Sequence, residues 1–225
     1  MTDAQTQLTR RRYDRLAPFF DLLEAPLEGL RLAAWRRRLL ARLQGPRALE
    51  AGAGTGKNLP YYPPGVEITA LDLSPRMLAR ARQRAARLAA SVTLLEMDVQ
   101  ALDFPDQSFD TVFATFVFCS VPDPVQGLRE LRRVCRPAGR LLLLEHLRPA
   151  GRLLGWLFDR LNPPAVRLTG ANINRRTREN LEAAGWELQR AENLAGGIVW
   201  LLEARPRGGG RAPEPAPTGA AGETR

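Results

Sequence analysis

The stretch Glu50-Ala51-Gly52-Ala53-Gly54-Thr55-Gly56 follows a short apolar run, 47–51, at the point where a strand ends and a helix is due to begin. Glycines at such a junction let the backbone turn tightly and approach a ligand to contact distance. Two nucleotide-binding readings fail on it. A phosphate-binding loop needs glycine five residues before Gly56-Lys57 and Ser or Thr after it, and the chain has Ala51 and Asn58 there. The dinucleotide fingerprint G-x-G-x-x-G needs glycine at 57, which is Lys57. What remains is an acidic residue two places ahead of G-x-G-x-G. A carboxylate there opposes phosphate and suits a ligand carrying an ammonium and a sulfonium.

Outward from the glycines, apolar runs alternate with helical stretches. Strands are expected at 47–51, 67–72, 92–97, 109–116, 140–145 and 198–204. Ser74-Pro75 combines an N-cap with proline at the first helical position and opens a helix to about Leu88. Asp123-Pro124 repeats the device for a helix ending near Pro137-Ala138-Gly139, and Thr177 begins another, stopped at Gly185. Asn162-Pro163-Pro164 reads as a turn between helices. Strands alternating with helices of 10–15 residues imply parallel pairing with right-handed crossovers. The expected fold is α/β, a Rossmann-like, doubly wound and mostly parallel sheet that binds its ligand at the carboxyl ends of the strands. Three segments follow: an N-terminal helical, basic lid over 1–44, a ligand-binding domain over 45–205, and a Pro/Gly/Ala-rich tail over 206–225 expected to be disordered.

Composition narrows the chemistry. Cys119, Cys135 and His146 are the only cysteines and histidine among the 225 residues, too few for a structural zinc site, and no metal is expected. Free thiols fit a reducing cytoplasm. The longest uncharged stretch, Thr111 to Pro122, has 12 residues against the ~20 of a spanning helix, and no signal peptide is read at the start. Of the net charge of +9, residues 1–47 hold +5 (10 basic, 5 acidic) and 48–204 only +2 (19 and 17). All but one of the 33 basic residues are arginine, a one-sidedness of composition that argues little for nucleic acid, and no nucleic-acid partner is expected.

The glycine stretch, with the motifs that follow it, resembles the class I S-adenosylmethionine-dependent methyltransferases of the type 11 branch. Asp72 ends the second strand in ALDLS, 22 residues past Glu50, and Asp98-Val99 follows the third strand. FDTVFATFVFCSVPDP (109–124) and RVCRPAGRLLLLEH (133–146) match the fourth strand with its exit loop and the fifth strand with its turn. The resemblance spans about residues 45–204. It implies S-adenosylmethionine as cofactor, with Glu50, Gly52, Gly54, Thr55 and Gly56 around its amino-acid half and Asp72 on the ribose hydroxyls. It also puts Asp98 and Val99 at the adenine, and Leu73, Met77 and Thr115 along the same site.

Methyl transfer from a sulfonium rests on positioning and desolvation, so no Ser/His/Asp constellation is needed. His146, at the end of the fifth strand, is a candidate general base. Tyr13 lies in RRYDRLAPFFDLL, which resembles a helix placed over the pocket in lipid- and quinone-modifying members; Tyr13, Phe116 and His146 are the expected acceptor contacts. Cys119-Ser120 stand where other members carry Glu-His or His-His, so no polar dyad is expected there. AGWELQRAENLAGGIVWLLEA (184–204) resembles quinone-biosynthesis C-methyltransferases. MDVQALDFPDQSFDTV resembles phosphatidylethanolamine N-methyltransferases, and EHLRPAG with FDRLNPPAVRLTGANINRRT resembles membrane-associated thiol S-methyltransferases. All three imply a lipid-like acceptor. The basic segment 8–42, with Phe19, Phe20 and Trp35, is expected to lie on an anionic membrane from the cytoplasmic side. The competing readings are an RNA or protein methyltransferase, a non-catalytic cofactor-binding module and a dehydrogenase.

Overall fold

Ser74 and Asp123 set the start of two helices as their side chains allow: Ser74 Oγ accepts the Met77 N–H at 3.1 Å, and Asp123 Oδ1 accepts that of Gln126 at 2.9 Å. In the computed structural model, which describes residues 2–209, helix α1 (Thr2–Leu27) passes through a five-residue π-helical turn into α2 (Ala33–Leu40). Then follow β1 (Arg47–Ala51), β2 (Glu67–Asp72), α3 (Pro75–Leu88), β3 (Thr93–Glu96), β4 (Phe109–Thr115) and α4 (Pro124–Val134). The chain continues with β5 (Cys135–His146), α5 (Arg152–Thr169), α6 (Thr177–Ala183), β6 (Trp186–Ala195) and β7 (Val199–Pro206).

The seven strands form one sheet in the order β3-β2-β1-β4-β5-β7-β6. The first five run parallel, whereas β7 pairs antiparallel with β5 and β6 antiparallel with β7. The order reverses at β1 and β4, which separates their exit loops and opens a crevice there. Strand alternation sorts the core. Leu49, Val112, Leu141, Leu143 and Leu202 face Leu128, Leu131 and Leu181 of α4 and α6, while Ala48, Phe113, Leu142 and Leu144 face Leu39 and Leu40 of α2. Both faces are covered, as a parallel sheet requires.

Four expectations change. Strand β6, a polar edge strand, was not foreseen; Trp186 anchors it, buried and donating its indole N–H to the Leu128 carbonyl at 2.9 Å. Strand β5 begins at Cys135, and residues 136–139 form a bulge where Phe109 pairs with Cys135 and Thr111 with Arg140. Helix α5 runs on through Pro163 and Pro164, held at Asn162, which bonds Asn172 and the Ile173 N–H. The tail boundary moves: Pro206 belongs to β7, and Arg207 N–H reaches the Gly185 carbonyl at 2.9 Å, while 210–225 lie outside the described residues.

Candidate functional site

The glycine turn leaves β1 with positive φ at all three glycines. Two of them are constrained differently. A Cβ on Gly52 would sit 2.3 Å from Val117 Cγ2, so a side chain there collides with the β4 exit loop. A Cβ on Gly54 would meet nothing within 4 Å, because that residue opens onto a cavity. At the end of β2, Asp72 receives the Gly54 N–H on Oδ2 and the Ser74 N–H on Oδ1, both at 2.8 Å. Burial raises its pKa to about 6, against these two N–H donors.

Helix α1 forms the roof. Ser74 Oγ donates to Asp14 at 2.6 Å, and Thr55 Oγ1 donates to Asp21 at 2.6 Å. Asp21 also takes Arg80 at 3.1 Å and Arg84 at 2.8 Å, so the lid is tied to the glycine turn and to α3. Tyr13 hydrogen-bonds Ser120 across the cavity. Burial keeps its phenol protonated, well above the usual value.

Under the glycine turn lies a closed polar network. Glu50 is 1% exposed and accepts Asn58 Nδ2 at 2.5 Å and the Tyr62 hydroxyl. Burial raises it to about 7, although Tyr62, Asn58 and Arg36 favour the ionised form. Arg36 of α2, also buried, donates to Asn58 Oδ1 at 3.2 Å and Thr115 Oγ1 at 2.9 Å, and its guanidinium lies 5.9 Å from the Phe116 ring centroid.

The β4 exit loop closes the other side. Phe116 holds φ +56, a conformation unusual for a bulky residue. It is over-determined by its own N–H on the Leu144 carbonyl at 2.8 Å and by buried Glu145, whose Oε1 takes the Val117 and Phe118 N–H groups at 2.8 and 3.0 Å. The His146 ring stacks on Phe116, centroids 4.5 Å apart, and burial lowers its pKa. Cys119 is buried, and desolvation first, then Glu145, pushes its thiol up to about 12.

Most of the expected residues therefore meet in one place. Tyr13, Gly52, Gly54, Thr55, Asp72, Leu73, Met77, Asp98, Val99, Thr115 and Phe116 all line the cavity. Glu50 and Gly56 do not; Glu50 lies beneath the floor. Nor does His146, which stands behind Phe116. Phe20 lines the cavity and Trp35 packs against the core under the sheet, so neither sits at an outer surface as expected. Arg36 was missed, since nothing local distinguishes it from 31 other arginines, while Asp14 and Asp21, both in the RRYDRLAPFFDLL stretch, were given no role of their own.

A family model described as a methyltransferase domain matches residues 49–143. A phosphatidylethanolamine N-methyltransferase of Cereibacter sphaeroides is 43% identical over 115 residues, 49% of this chain and 57% of its own. A demethylmenaquinone methyltransferase of a Mycobacterium species is 32% identical over 212 residues, 84% of this chain and 90% of its own. A human thiol S-methyltransferase is 28% identical over 197 residues, 82% and 81% of the two chains. The chain belongs to the class I S-adenosylmethionine-dependent methyltransferases. The match spans less than two thirds of the Cereibacter relative's length. Among solved structures, a Thermotoga maritima protein described as a possible histamine N-methyltransferase shares the fold of this methyltransferase with a TM-score of 0.69 at 18% identity, over 88% of this chain and 100% of its own.

The cavity of the methyltransferase suits its cofactor. Open space above Gly54 admits a ligand against bare backbone, a carboxylate closes one end at Asp72, and a buried guanidinium, that of Arg36, lines the other side.

Proposed function

We propose that this methyltransferase acts on a lipophilic acceptor, the amine of phosphatidylethanolamine or a quinone ring, at the cytoplasmic face of a membrane. The observation that carries this is the acceptor side of the cavity: Phe20, Phe116, Val117 and Val121 line it, and its polar groups are the Tyr13–Ser120 pair. A water-seeking acceptor would find little there to replace its hydration.

Bound S-adenosylmethionine supplies an electrophilic methyl carbon on a sulfonium. In this reading Asp72 accepts hydrogen bonds from the ribose hydroxyls, with Gly54 and Ser74 N–H groups fixing the carboxylate. Asp98 and Val99 take the adenine, flanked by Leu73 and Met77. Arg36 pairs with the amino-acid carboxylate, since a planar guanidinium grips a carboxylate through two hydrogen bonds. Glu50 acts from below, orienting Asn58 and balancing Arg36. Thr115 and Thr55 complete the walls.

Tyr13 and Ser120 position the acceptor, and the protonated phenol donates rather than takes a proton. His146 braces Phe116 instead of serving as the base first expected. The chain thus contributes alignment and exclusion of water. The outward side of α1 exposes Phe19, Leu22 and Leu23 beside Arg11 and Arg15, as a helix resting on an anionic surface would. A thiol acceptor is the second reading, favoured by the human relative's even coverage of both chains.

Incubation with methyl-labelled cofactor and a lipid and quinone extract tests the proposal. Label in phosphatidylethanolamine derivatives or a methylated quinone supports it; label only in added small thiols transfers the assignment to the second reading.

A further inference from the structure

We propose that the outward face of α5 is a docking surface for an anionic lipid bilayer. The helix turns large apolar side chains outward among its arginines, where a helix on a protein surface normally shows polar ones. Leu153, Leu157, Leu161 and Pro164 recur at the spacing of one helix face, and all four are exposed, Leu153 at 79%. Trp156, 57% exposed, and Arg160 border this row, with the Arg160 guanidinium 6.0 Å from the indole centroid. The inward positions are Gly155, Phe158, Asn162, Ala165 and Val166, with Asn162 bonding Asn172 and Ile173, while the exposed Asp159 pairs with Arg148 at 2.8 Å. A run of exposed apolar side chains of this kind marks a surface that something covers.

Residues 210–225 are a poor candidate for that cover. They contain no large aliphatic or aromatic side chain. A second copy docking face to face would set Arg152, Arg160 and Arg167 against their own equivalents, and the helix's one acid, Asp159, is already engaged by Arg148. A bilayer with anionic headgroups meets both demands: guanidinium groups at phosphates, leucines in the acyl boundary and Trp156 between. The placement serves the reaction. Asn172, bonded to Asn162 of α5, donates its backbone N–H to the Cys119 carbonyl at 2.8 Å, so the docked helix is coupled to the loop closing the acceptor side. In that purpose, though not in the docking itself, the inference rests on the lipophilic-acceptor reading.

The test uses the full chain with vesicles of phosphatidylcholine alone or mixed with phosphatidylglycerol, lipids bearing no primary amine, quinone or thiol. Failure to bind thus removes the membrane placement of α5 and of α1 but leaves the lipophilic acceptor standing, and failure to methylate leaves docking standing. The expected result is salt-sensitive binding to the mixed vesicles, with a blue shift of tryptophan emission that Trp156→Phe abolishes. Leu153→Ser with Leu157→Ser should weaken binding about tenfold or more, with cofactor affinity and Tm unchanged as the control for folding. Absence of binding, or binding and emission shift indifferent to these substitutions, overturns the proposal. So does a concentration-dependent dimer in sedimentation that the double substitution dissolves, which would give the face to a second copy.

Discussion

Thr55, in the glycine turn under the cavity, donates its hydroxyl to Asp21 of the roof helix at 2.6 Å. One side-chain contact therefore joins the floor of the cavity to the lid, and the same carboxylate neutralises Arg80, Arg84 and Lys57. Asp21→Asn should leave three cations facing one another and loosen the lid. We expect cofactor dissociation, followed by stopped flow, to accelerate about tenfold, equivalent to ~1.4 kcal/mol. An unchanged rate would mean that α1 does not restrain the cofactor.

Asp72 provides the sharpest test of the cofactor site. Asp72→Asn should weaken S-adenosylmethionine binding by about 10- to 100-fold in calorimetry, the loss of hydrogen bonds to a charged acceptor worth ~1.5–3 kcal/mol. Because burial raises this carboxyl to about 6, wild-type affinity should fall about tenfold per pH unit below that value, and the asparagine variant should lose that dependence.

Stability of the ligand-free protein should run the opposite way. Asp72, Glu50 and Glu145 are raised by burial to about 6, 7 and 7, so the folded chain holds protons that the unfolded chain, at ordinary carboxyl values, releases. Raised folded-state values mean stability is fullest at the acid end and is lost as pH rises through that window. The Tm should decline from pH 5 to pH 8, and Glu145→Gln should flatten the slope while keeping an oxygen for the Val117 and Phe118 N–H groups.

Arg36→Lys keeps the charge but not the planar guanidinium, which reaches Asn58 and Thr115 through Nη1 and Glu28 through Nε. Cofactor affinity should drop about tenfold or more for lysine, and further for Arg36→Ala, which also removes the cation paired with Glu28 and lying near the Glu50 carboxylate. Equal affinity in all three proteins would remove Arg36 from the site.

Tyr13→Phe deletes the hydroxyl that meets Ser120 while keeping the ring. The KM for the acceptor should rise several-fold, about 1 kcal/mol for one neutral hydrogen bond, with the cofactor Kd unchanged. A change confined to the cofactor Kd would place Tyr13 on the wrong side of the cavity.

Local chemistry announces itself along the chain. The glycine turn, Asp72 at a strand end and the Ser74 and Asp123 caps each depend on residues within a few positions, and the structure bears out the parallel α/β sheet they implied. Strand β6 was hidden because only its Trp186 is deeply buried and its other face is polar, so the two-residue alternation is faint. Pro163-Pro164 suggested a break, but the helix continues, its Asn162 side chain anchored to Asn172 and Ile173 in the segment that follows it.

Asp21 stands in the RRYDRLAPFFDLL stretch, but its tie to Thr55, 34 residues away, is not written there, and nothing in the sequence joins Arg36 to Thr115, 79 residues away. Chain order could name the cofactor because a turn, a strand end and a cap are short-range objects. It could not say which arginine is buried, that His146 stands behind Phe116, or that α5 turns its leucines outward. Those follow from which surfaces of distant segments meet, and burial, charge pairing and exposure arise only at that meeting.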